Sequence, residues 1–343
     1  MADLSPPARA PLLLLGFVSL VIGIAGGLVR LNAGVPAPGT GVAWHGALMA
    51  SAFFGTLIAL ERAVAIGRLW AYAAPAASGL GGIAVAAGAQ SAGLWLLASG
   101  AALFGAASLE IWRRHRALHT GVLALGALCL LAANLWLAFE QAPGRAVPFW
   151  IAFFVLTIGG ERLELSRLAP VPPAARAAFG ALAFTLAAIA AIAELRLLGI
   201  VLVAVAAWLA RYDLAVRTVR STGITRYIAL CLLTGYIWLA LGGALLALGA
   251  ARDAALHSVL LGFVFSMVFG HAPVIFPAVL RVSLPYGAAF YGPLIVLHAS
   301  VLLRLVADLA DSAALRTAGG IGNALAIVFF ILTAAALTLT ARR

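Results

Sequence analysis

The chain has 343 residues, of which 64% are hydrophobic and only 10% charged, with a mean hydropathy of +1.11. These values lie far from those of water-soluble domains and specify a polytopic membrane protein. Its net charge of +11 rests on 22 arginines and no lysine. In a membrane chain that excess is read as topology before nucleic-acid affinity, and no nucleic-acid, nucleotide or carbohydrate motif accompanies it. An arginine-only, Ala-, Leu- and Gly-rich chain also carries the codon bias of a GC-rich bacterium, so the bacterial inner (cytoplasmic) membrane is the expected location. Cys129 and Cys231 lie in apolar runs without metal-type spacing, which argues against disulfide or zinc chemistry.

A helix needs about 20 apolar residues to cross a bilayer. Cutting at polar and Pro/Gly-rich breaks predicts an all-α fold of twelve spans, near 11–29, 42–60, 71–89, 92–112, 118–138, 147–165, 174–193, 195–212, 227–249, 256–280, 287–307 and 317–339. The first run is long enough to span and has no obvious cleavage site, so it reads as a transmembrane helix, not a signal peptide. Twelve spans place both termini on one side. Arg30, Arg145, Arg196, Arg252, Arg304 and Arg316 then fall on the far side, and the remaining sixteen arginines, Arg342 and Arg343 among them, on the terminal side. That bias predicts cytoplasmic termini. The arginines and histidines of RRHRALH, with His115 and His119, read as a headgroup-facing cluster for membrane lipid.

The spans also repeat. HGALMASAFFGTLIALERAVAIGRL begins at His45, and RAVPFWIAFFVLTIGGERLELSRL lies one hundred residues later in register, so Phe53, Phe54, Glu61 and Arg62 align with Phe153, Phe154, Glu161 and Arg162. A looser H-x-x-L-x-x-x-x-F match joins His45, Leu48 and Phe53 to His257, Leu260 and Phe265. Matching spans two, six and ten imply one transmembrane domain, 1–343, with a three-fold pseudo-repeat of four helices over roughly 11–112, 118–212 and 227–339. The six-helix repeat of common secondary transporters would instead relate spans two and eight, and LRLLGIVLVAVAAWLARYDL shows no such match.

This pattern, with His45 opening span two and His257 and His271 on span ten, resembles the haem-copper oxidase subunit I superfamily, and most closely its short NnrS-type haem relatives of nitric oxide metabolism. The resemblance implies a low-spin haem held by a histidine of span two and one of span ten, here His45 and His257. The sequence departs from that family where the oxidases place their copper ligands: spans six and seven contain no histidine, so no oxidase-type copper centre is expected. Copper binding elsewhere stays open. No c-type attachment motif is present, so the expected cofactor is non-covalent haem b, in one copy or two.

Residue geometry extends this expectation. His257 and His271 are fourteen residues apart, about 21 Å of rise and nearly four turns, which puts both on one face of an ideal helix. His298, eleven residues into span eleven, falls near the depth of His271. The candidate metal ligands are therefore an outer pair, His45 and His257, and an inner pair, His271 and His298. The inner site is read either as a second haem or as a five-coordinate haem on His271 with His298 on its distal side. Arg30, Arg252 and Arg316 lie on the outer side as candidate propionate partners, and the resemblance, whose members use arginines of the loop between spans eleven and twelve, puts Arg316 first; Trp44 is expected in the interfacial belt. Pro273 and Pro277 are expected to kink span ten and free backbone carbonyls. The expected function is haem-based electron transfer with a redox partner protein, or binding or detoxification of a gas such as nitric oxide. The competing class is a proton-coupled transporter using these histidines with Glu61 or Glu161. In the simpler reading the Glu–Arg pairs snorkel as interfacial ion pairs. A third reading is a cofactor-free assembly or sensor subunit.

Overall fold

The structure, a computed structural model, describes residues 3–36, 39–169 and 171–340; Arg342 and Arg343 of the arginine count lie outside them. Among the described residues the elements are helices and no strands. Twelve are long and apolar enough to cross a membrane: α1 (Pro6–Arg30), α2 (His45–Ile66), α3 (Leu69–Ala86), α4 (Gln90–Arg114), α5 (Leu118–Glu140), α6 (Pro143–Leu168), α7 (Pro173–Ile192), α8 (Leu195–Tyr212), α9 (Gly223–Leu248), α10 (Arg252–Leu280), α11 (Ala288–Leu309) and α12 (Ala313–Thr340). The chain is thus a multi-pass membrane protein. The twelve predicted spans are recovered, several of them extended into their flanking polar residues.

Local chemistry sets the ends. Prolines open α1, α6 and α7, where a missing N–H costs nothing. Gly67 and Gly249 close α2 and α9 with φ of +64° and +69°, the left-handed conformation that favours glycine. The short turn between α7 and α8 is stopped by Glu194, whose carboxylate accepts from the Arg196 amide at 3.3 Å.

Two helices depart from α geometry in corresponding places. In α2 the segment Leu48–Phe54, three residues after His45, is π-helical; in α10 the π segment Ser258–Phe265 begins immediately after His257. Such i→i+5 segments are rare and are frequent at functional sites. The expected irregularity beyond His271 takes another form: α10 stays helical through Pro273 and Pro277 as far as Leu280.

The chain divides into two compact units, Met1–Gly160 and Glu161–Arg343, with the boundary inside α6. In the first, α3 packs on α4, α4 on α5, and α1 on α2 and α3. The α3–α4 crossing is made by Gly81 and Gly93; a Cβ on Gly81 would sit 2.9 Å from the Gly93 carbonyl oxygen. Phe54 of α2 and Phe154 of α6, paired by the sequence alignment, meet edge to face at 4.8 Å. Beside them runs a buried polar chain. Trp150 Nε1 donates to Ser51 Oγ at 2.9 Å, Ser51 Oγ donates to Asn134 Oδ1 at 2.5 Å, and Asn134 Nδ2 donates to the Leu97 carbonyl at 3.0 Å. Every link is satisfied, which is the condition for burying such groups away from water. Trp44 is buried among the helices at 5% exposure.

In the second unit α9 packs on α8 and α10, α10 on α11, and α11 on α12. The α8–α9 crossing repeats the glycine device: a Cβ on Gly199 would collide with the Gly243 carbonyl oxygen and the Ala247 nitrogen.

Candidate functional site

Each candidate histidine is held by hydrogen bonds that fix its tautomer. His45, the first residue of α2, has Nδ1 2.6 Å from the Gly23 carbonyl of α1. A carbonyl only accepts, so Nδ1 carries the proton and Nε2 is the basic nitrogen. The ring rests on Gly27, where a Cβ would lie 2.9 Å from Cε1. His257 is built alike: Nδ1 donates to the Asp253 carbonyl at 2.8 Å, again leaving Nε2 basic. In metal-binding histidines an Nδ1–H held by main chain or carboxylate is the usual means of orienting Nε2.

The polar surroundings of His257 belong to α10, α11 and the first turn of α12. Asp253 Oδ2 accepts from Arg304 Nε and Nη2 at 3.0 and 2.8 Å, and Asp253 Oδ1 lies 3.3 Å from His257 Nδ1. Arg304 is only 7% exposed. Asp308, one turn further along α11, accepts from the Ala254 amide at 2.7 Å and from Arg316 Nε at 2.5 Å, while Arg316 also approaches Asp311 at 3.6 Å. Arg316, the first choice for a propionate, is therefore already ion-paired. Arg30 and Arg252 are exposed.

The inner pair is arranged differently. An uninterrupted α-helix would present His257 and His271 on one face. The π segment Ser258–Phe265 lies between them, and each residue it adds beyond the α ladder rotates the remainder of α10 by about 100°. His271 donates from Nδ1 to the Met267 carbonyl at 2.7 Å, and its Nε2 accepts from Arg162 Nη2 at 2.9 Å. Arg162, expected to snorkel, is instead buried at 7% exposure. His298 has the opposite tautomer. Trp238 Nε1, which can only donate, bonds His298 Nδ1 at 2.8 Å, so His298 carries its proton on Nε2, a buried nitrogen without a hydrogen-bond partner.

These bonds test the fit to haem. In His45 and His257 the main-chain hold on Nδ1–H is the orientation that an axial role through Nε2 calls for. His271 and His298 as bonded do not suit that role, since the Nε2 lone pair of one is taken by Arg162 and the Nε2 of the other is protonated. Among the described residues no three His, Cys, Asp or Glu side chains converge to hold a metal ion. The cluster RRHR, Arg113 to Arg116, is exposed, with Arg116 lying 4.9 Å over the Trp112 ring.

A second buried group, for which no sequence motif stands, surrounds Arg162. Asp213, the residue after α8, is 5% exposed, and Tyr236 of α9 is 2% exposed. The only hint in the sequence is Arg162 itself, inside an apolar span.

No curated protein and no solved structure matches the chain. Residues 9–339, however, match the domain of unknown function DUF8744, and with nearly its whole length covered the chain belongs to that family.

Proposed function

We propose that this membrane protein binds haem b, with His45 and His257 as axial ligands, and serves electron transfer in the cytoplasmic membrane of a bacterium with both termini inside. The observation that carries the reading is the shared build of the two histidines. Each opens a span or its first turns, each has Nδ1–H held by a main-chain carbonyl, and each is followed within three residues by a π segment. That likeness also supports the four-helix pseudo-repeat and the resemblance to haem-copper oxidase subunit I and NnrS-type proteins.

A haem there supplies a one-electron iron centre. The chain's own part is to present two oriented imidazoles, to surround them with apolar helices, and to supply cations near His257. Arg30 and Arg252 are exposed candidates for propionate contact; Arg316 would first have to leave Asp308. Were both His45 and His257 to hold the iron, no position would remain for a gas, so electron transfer to a redox partner protein follows from this reading more directly than nitric oxide binding.

The test is a reduced-minus-oxidised and a pyridine haemochrome spectrum of the purified protein, with His45→Ala and His257→Ala alongside. A b-type spectrum lost in both variants supports the reading. A colourless protein after haem-supplemented expression, or a spectrum indifferent to both substitutions, refutes it. Proton-coupled transport is the second reading, favoured by one observation, the buried ionisable group around Arg162.

A further inference from the structure

The second unit buries a carboxylate, a guanidinium and a phenol that haem ligation leaves unused. Asp213 Oδ1 accepts from the Ala215 amide at 2.6 Å, but Asp213 Oδ2 is buried without a hydrogen-bond partner. Arg162 Nε and the Tyr236 hydroxyl are also buried and unpartnered. The three groups lie within electrostatic reach of one another. Arg162 of α6 and Tyr236 of α9 are the charged and titratable groups that act on Asp213, and Asp213 and Arg162 are those that act on Tyr236. The Tyr236 hydroxyl approaches Asp213 as a hydrogen-bonding group but falls short of a well-formed bond to it.

The bonding is the reverse of what a charged Asp213 would produce. Carboxylate and guanidinium form the strongest of the side-chain hydrogen bonds, often two at once. Here Arg162 gives its hydrogen bond to the neutral ring of His271 and leaves Asp213 Oδ2 bare. A carboxyl that carries a proton explains that choice, because it offers a guanidinium no charge to neutralise.

We propose that Asp213, Arg162 and Tyr236 form a proton-binding site in which the charge on Asp213 decides whether Arg162 bonds His271 or the carboxylate. With the proton on Asp213, the guanidinium stays on His271 Nε2, as in this structure. When the proton leaves to water, Arg162 turns to Asp213 Oδ2, Tyr236 donates to the carboxylate, and His271 Nε2 is released. One O–H bond is broken and one proton exchanged; no oxidant or other reactant is needed. Burial pushes the Asp213 carboxyl above its ordinary value, against the downward pull of Arg162, the Ala215 amide and the Tyr236 hydroxyl. The site stands whether or not haem binds, and it offers the transport reading a proton-accepting residue other than Glu61 or Glu161.

The experiment is infrared difference spectroscopy of the detergent-purified chain across a pH series, with nitrogen NMR of labelled histidine on the same samples. A protonated-carboxyl band should persist above the usual carboxylate range in the wild type and lose intensity in Asp213→Asn. The His271 Nε2 signal should change across the same pH range in the wild type and stay fixed in Asp213→Asn. Tyr236→Phe, which removes a donor to the charged form, should shift the band's midpoint to higher pH. Stability gives an independent readout. A carboxyl raised by folding stabilises the fold below its unfolded value, and that contribution is lost as pH rises through the folded value. The wild-type unfolding midpoint should fall over that range and the Asp213→Asn profile should be flat. Absence of the band, its undiminished survival in Asp213→Asn, or a His271 signal equally constant in both proteins overturns the proposal.

Discussion

Replacing Asp253 by alanine isolates the ion pair that supports His257. The carboxylate receives two charge-assisted hydrogen bonds from Arg304, whose side chain is 8% exposed, whereas that of Asp253 is 46% exposed. Stranding one partner of a fully buried pair costs about 3–5 kcal/mol. Because Asp253 is nearly half solvated, water already screens the pair, and the expected loss falls to about 2 kcal/mol. Arg304→Met strands only the half-exposed carboxylate and should cost less. Equilibrium unfolding in mixed micelles on both single variants and the double variant should give a coupling of about 1–2 kcal/mol. The imidazole keeps its bond to the Asp253 main-chain carbonyl in every variant, so a haem spectrum carried by His257 should survive Asp253→Ala. Single-variant effects that add to within about 0.5 kcal/mol would refute the energetic argument.

Two further predictions concern packing and topology. Gly199→Ala places a Cβ against α9 backbone atoms that cannot turn away, and should destabilise by about 1–3 kcal/mol; Gly105→Ala, where the nearest neighbour is a leucine methyl at 3.7 Å, is the near-neutral control in the same unfolding assay. Cys129 and Cys231 are buried and should not react with an impermeant maleimide in the folded protein, which makes His115→Cys and Gly144→Cys clean reporters. The first should label only from the cytoplasmic face and the second only from the opposite face. Labelling of both from one face would overturn the twelve-span topology.

The spans were legible because a bilayer imposes one length and one polarity on every crossing. Polar breaks such as RRHR and the Glu194 turn therefore marked the helix ends well. The departures arise where a side chain acts on a neighbour remote in sequence. Nothing in HSVLLGFVF announces a π segment, since residues 258–265 are as apolar as any α-helical run and the change lies in backbone pairing. The alignment of His45 with His257 did carry structural content, in that both precede such a segment. The depth match of His271 with His298 did not, because Arg162 and Trp238, 109 and 60 residues away in sequence, decide which ring nitrogen each can offer. Asp213 was hidden among the polar residues of a short connection, although its burial makes it one of the least ordinary groups in the chain.

The polar chain through Ser51 has a consequence for how the protein is made. Its donor Trp150 lies 99 residues beyond Ser51, and its acceptor Asn134 lies 83 beyond. During synthesis α2 enters the bilayer with a hydroxyl that cannot find its final partners until α5 and then α6 arrive. Ser51 must meanwhile borrow a carbonyl of its own helix, so the first unit stays open to rearrangement until Trp150 is in place. A nascent chain arrested before α6 should therefore be more accessible to protease than one released after it, and the step that closes the first unit belongs to the same helix whose last turns begin the second.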